Sequence, residues 1–77
     1  MKLTKTQQEL LHIMYRVILD TRITEMERLL FTKTKSQIEF GRTFDKELNA
    51  LLNELDFIPN SISTRDFRDE VLKRLPV

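Results

Sequence analysis

Glu9 and His12 stand one helical turn apart, Asp66 and Glu70 are spaced i,i+4, and serines occur at positions 36, 61 and 63 of the 77-residue chain. Catalysis would have to be built from these groups. A Glu-x-x-His unit is the motif that carboxylate di-iron bundles use in pairs, with two further glutamates on facing helices, and a single copy supplies less than half of such a site. Nucleophilic chemistry needs an activated nucleophile and a positioned base. Cysteine is absent and His12 is the single histidine. His12 falls on a polar strip with Lys5, Glu9, Arg16 and Asp20, which reads as a solvent face, while Ser36 and Ser63 sit where helix caps are expected. Asp66 and Glu70 lie early in a helix, where acids complement the dipole without any catalytic role. Gly41 is the one glycine, so a phosphate-cradling loop has no sequence support. These residues predict a non-enzymatic chain with no catalytic residues, no cofactor and no metal.

The elements that would position such groups are read from caps and periodicity. A first helix can start at Thr6, with Glu9 as its capping-box partner, or at Thr4 with Gln7, and it runs to Leu19 or Asp20. Extending its Leu10, Met14, Val17 stripe would turn Thr21, Thr24 and Arg28 inward, so the helix should stop there. Thr24-x-x-Glu27 marks a second start, and Met26, Leu29 and Leu30 share a face, predicting a short helix over 24–31. Residues 32–42 are ambiguous. Ser36-x-x-Glu39 reads as a helix start, whereas Phe31-Thr-Lys-Thr and Gln37-Ile-Glu-Phe alternate like short strands; helix is the favoured reading. Phe44, Leu48, Leu51, Leu52 and Leu55 fall within roughly 100° of one face, predicting an amphipathic helix over 43–55 that ends before Pro59. A last helix over 64–75 takes Ser63 as cap, Asp66 as capping-box acid, Ile62 and Phe67 as hydrophobic staple, and Lys73 and Arg74 at its C-terminal end. Its apolar side is Phe67, Val71, Leu72 and Leu75. The expected fold is therefore all-α, a small four-helix bundle or orthogonal helical array, forming one domain over 1–77.

Composition narrows the function classes. Thirteen Lys and Arg balance twelve Asp and Glu, unlike the basic excess of a typical nucleic-acid binder. The apolar-rich stretch Leu10–Leu19 contains His12 and Arg16 and is about half the length needed to cross a bilayer, so no membrane insertion is expected. Lys2 and Lys5 precede it as in a signal peptide, but Arg16 interrupts it and Asp20-Thr21-Arg22 follows where small residues would mark cleavage. A chain without cysteine suits a reducing compartment, and the expected location is cytoplasmic.

The first helix is unusual, because its apolar residues cover roughly 240° of the helical wheel, more than twice what a surface helix needs. Either the other helices surround it, or part of the arc, with Met14, Tyr15 and Ile18 as candidates, is a surface for another protein or for self-association into a homo-oligomer. The sequence therefore predicts a small regulatory or adaptor module that binds protein. The alternative is DNA binding. A long helix, a short helix, a turn rich in Lys and Thr and another long helix resemble the order of a helix-turn-helix or winged-helix protein. Lys33, Lys35, Arg42 and Lys46 would then face phosphate. A long connection after the second helix, no glycine-bearing tight turn, no wing sequence and near-zero net charge count against it.

Overall fold

The computed structural model describes residues 3–74, which form four helices, α1 (Lys5–Leu19), α2 (Glu25–Glu39), α3 (Phe44–Leu55) and α4 (Ile62–Arg74), and no strand. The all-α expectation is met, with the helices packed as a small bundle measuring 31 × 25 × 21 Å. None of these helices is long and apolar enough to cross a membrane.

Local capping sets most of the boundaries. Thr4, not Thr6, opens α1. Its hydroxyl accepts the Gln7 amide at 3.1 Å, while the Gln7 side chain accepts the Thr4 amide at 3.0 Å, so two amides left orphaned at the helix start are satisfied reciprocally. Helix α1 stops at Leu19, where the polar stripe required it to stop. Arg28 donates to the Ile18 carbonyl and, at 3.3 Å, to that of Asp20, so a side chain of the next helix caps the end of this one.

The sequence reading of α2 needs two corrections. The helix does not end near residue 31 but continues to Glu39, absorbing the ambiguous segment, with Ser36 exposed on an interior turn instead of capping a new helix. Its buried stripe is Glu27, Phe31, Thr34 and Ile38, and two polar members out of four hid the 3.6-residue period. Met26 and Leu29, expected to face inward, are exposed. Gly41 then reverses the chain at φ +112°, a conformation that side chains other than glycine's rarely tolerate.

Helix α3 buries Phe44, Leu48, Leu51 and Leu55, as its periodicity demands. Helix α4 starts two residues earlier than expected. Ser61 takes the capping position and accepts the Thr64 amide at 3.4 Å, whereas Ser63 and Thr64 are buried. Ile62 is exposed and forms no staple, Leu72 is exposed on the flank of α4, and Leu75 lies outside the described residues. Helix α1 packs between α2 and α4, and α3 completes the bundle against α2. The core gathers Leu10, Met14 and Val17 of α1, Phe31 and Ile38 of α2, the α3 stripe, and Phe67 and Val71 of α4. Phe31 and Phe67 meet edge to face at 5.0 Å and 85°.

Candidate interaction surface

Two turns, 20–24 and 56–61, meet at one end of the bundle and are joined by two polar networks. Glu27, with no exposed surface, is the centre of the first. One carboxylate oxygen accepts the Thr24 amide at 2.8 Å and the Thr24 hydroxyl at 3.0 Å; the other accepts the Ser61 amide at 2.8 Å and the Thr64 hydroxyl. Burial pushes this carboxyl toward its neutral form. Hydrogen bonds from Thr24, Thr64 and Ser61 favour the charged form more strongly, and the pKa is held at about 2,. In the second network Asp20 accepts from the Arg22 amide at 2.8 Å, from the Arg22 guanidinium at 2.9 and 3.1 Å, and from the Ser63 hydroxyl. These donors, Arg22 first, hold Asp20 well below the usual carboxylate range.

The 56–61 turn is itself fixed. Asn60 donates to the carbonyls of Leu55 at 2.8 Å and Ile58 at 2.9 Å, and Arg68 reaches Asn60 at 3.0 Å and Asp56 at 2.6 Å. This tethered turn holds Phe57 out in solvent, 87% exposed. Helices α2 and α3 run antiparallel, with Lys33 opposite Glu54 at 3.4 Å and Glu27 bonded to Ser61. Met26 and Leu29, one turn apart on α2, are 54% and 63% exposed, while Leu30 and Ile58 pack half-buried against the core. Periodicity alone could not have singled out Phe57, because it belongs to no helical face.

The surface expected on α1 is divided. Met14 has no exposed area and is part of the core, so the proposal that it contacts a partner is corrected: it lies on the same stripe as Leu10 and Val17, which α1 buries. Ile18 is half-buried against that core. Tyr15 is about half-exposed, with the Lys35 ammonium 5.1 Å from its ring centre.

The basic candidates are divided too. Lys33 pairs with Glu54, and Lys35 pairs with Glu39 at 2.8 Å, while Arg42 and Lys46 are exposed and have no ion-pair partner among the described residues.

Groups with possible chemistry line a groove of about 490 Å³ between α1 and α4, where His12, Arg16 and Asp66 accompany Asp20, Arg22 and Ser63. Glu9, the partner proposed for His12, is 3.5 Å from Arg74. The Ser63 hydroxyl donates to Asp20, whose carboxylate also accepts from Arg22. Among the described residues no three His, Asp or Glu converge as metal ligands. Comparison with known protein families, with curated proteins and with solved structures finds no match for this chain.

Proposed function

We propose that the chain is a non-catalytic regulatory or adaptor module that binds protein through the exposed apolar side chains of α2 and of the 56–61 turn. One observation carries the reading: Met26 and Leu29 on α2 and Phe57 in the tethered turn stand more than half exposed. Large apolar side chains left in water are costly and can mark contact sites, where aromatic anchors dominate binding energy. A chain without cysteine suits the cytoplasm,.

Phe40 provides a matched control, since it is 88% exposed but lies at the opposite end of α2. A photo-crosslinking phenylalanine analogue at position 57 is expected to form protein adducts in cells that the same analogue at position 40 does not form. Equal yields at both positions, or none at either, would remove the basis for Phe57 as part of a docking surface.

The DNA-binding alternative has two cations left that are not already paired. Neutralising two phosphates gives a slope of roughly −2 for log affinity against log salt. Anisotropy titrations of a labelled duplex should therefore show, at most, weak binding with that shallow slope. A slope near −4 would mean that Lys33 and Lys35 leave their glutamates for phosphate, and would favour the alternative.

A further inference from the structure

We infer that Asn60 is a latent modification site: the closed 56–61 turn keeps the Asn60–Ser61 step unreactive, and opening of the turn exposes it to spontaneous conversion to aspartate or isoaspartate. No docking partner is involved.

The chemistry needs a nucleophile one residue beyond the side-chain amide. The Ser61 main-chain nitrogen loses its proton and attacks Asn60 Cγ, closing a succinimide ring, while the bond from Cγ to Nδ2 breaks and ammonia leaves with the proton. Water then opens the ring at either carbonyl, giving aspartate or isoaspartate with no change of oxidation state. A small residue after the asparagine lets the nitrogen approach. Of the three asparagines, Asn49 and Asn53 precede Ala50 and Glu54 inside α3, whereas Asn60 precedes Ser61 in a turn.

Both reacting groups are held. The Ser61 N–H donates at 2.8 Å to Glu27, a carboxylate with no exposed surface, so the nitrogen reaches Cγ only by giving up a charge-assisted hydrogen bond. The same negative charge opposes the build-up of another on the nitrogen. Asn60 Nδ2 donates to the Leu55 and Ile58 carbonyls at 2.8 and 2.9 Å, which fixes the plane of the amide. Arg68 acts in the other direction. Its guanidinium, 3.0 Å from Asn60 Oδ1, polarises the carbonyl that is attacked. The electrophile is activated and the nucleophile is withheld, which makes the Ser61–Glu27 bond the gate.

Conversion leaves a turn that cannot close as before. Aspartate puts an oxygen where Nδ2 met two carbonyls, so that acceptor faces acceptor,. Isoaspartate also reroutes the main chain through the side-chain methylene, immediately before the Ser61 cap of α4.

The test is peptide-level mass spectrometry of the full chain during incubation in mildly alkaline buffer, locating the mass gained as an amide becomes a carboxyl. Asn60 in the folded chain should convert at least about tenfold more slowly than in the same chain unfolded in urea, because reaction waits on local opening. Glu27→Gln, which removes the opposing charge and weakens the hold on Ser61, should speed conversion about tenfold. Ile38→Val, in the core near the far end of α2, loosens packing without touching the turn and should leave the rate within about twofold of the parent. Asn60→Asp, which reproduces one product, should melt about 5 °C below the parent. Conversion as fast in the folded chain as in urea, no acceleration in Glu27→Gln, equal acceleration in Ile38→Val, or an Asn60→Asp chain as stable as the parent would each overturn the inference. The comparison of folded with unfolded parent needs no variant, so it decides the matter even if Glu27→Gln fails to fold.

Discussion

Replacing Glu27 with alanine should lower the stability of this protein by about 3 kcal/mol, a loss typical of stripping the acceptor from buried donors. Domains of this length are worth roughly 4–12 kcal/mol in total, so the variant should melt about 15–20 °C below the parent. The physical reason is the asymmetry of the network. The Thr24 and Ser61 amides and the Thr64 hydroxyl aim at one carboxylate, and without it the two amides have no way to turn toward another acceptor. Glu27→Gln should also be destabilising, because the amide group presents a donor to at least one of these donors. Thermal unfolding followed by circular dichroism decides the matter, and a melting temperature within about 2 °C of the parent would show that the tie is dispensable. The same carboxylate sets an acid limb. Its folded pKa, about 2, lies below the ordinary 4.5, so the unfolded chain takes up the proton first. The stabilisation is complete above the unfolded value and disappears as pH falls from about 4.5 to about 2. Stability measured across that window should fall steeply in the parent and more gently in Glu27→Gln.

Phe67→Ala should be equally damaging, at about 3–5 kcal/mol, the usual cost of emptying a buried aromatic site. Phe67 is 1% exposed and is the largest side chain that α4 contributes to the core; it meets Phe31 edge to face. Its loss removes the main apolar anchor of α4, whose remaining buried apolar side chain is Val71. Urea titration at 25 °C should find the variant largely unfolded or nearly so. A double-mutant cycle with Phe31→Leu and Phe67→Leu should return a coupling of about 0.5–1.5 kcal/mol from the ring–ring geometry. A loss below about 1 kcal/mol on truncating Phe67 to alanine would mean that α4 is peripheral to the fold.

What could be read from the sequence divides by how far each determinant reaches. The Thr4–Gln7 and Thr24–Glu27 caps and the α3 stripe involve residues within one or two turns, and they were legible. The start of α4 was not, because Ser61, Ser63 and Thr64 all offer capping chemistry and the choice depends on Glu27 and Asp20, more than thirty residues away. The orientation of α2 failed for the same reason. Apolar chemistry alone would turn Met26 and Leu29 inward, but a carboxylate with four donors takes that place. The candidate surface shifted accordingly. Tyr15 and Ile18 were visible as excess on a helical wheel, while Phe57, in a turn, has no wheel to be counted on.

The pairing of α4 with α1 also governs the order in which the chain can assemble. Helices α1 and α2, and α2 and α3, are neighbours along the chain and can form hairpins by closing short loops. Helix α4 must return across the whole length of the preceding hairpins, and its contact between Ser63 and Asp20 spans 43 residues. Loop-closure entropy for that step is spent before its contacts are gained, so the arrival of the fourth helix belongs late in folding, and its departure is the natural first step of unfolding.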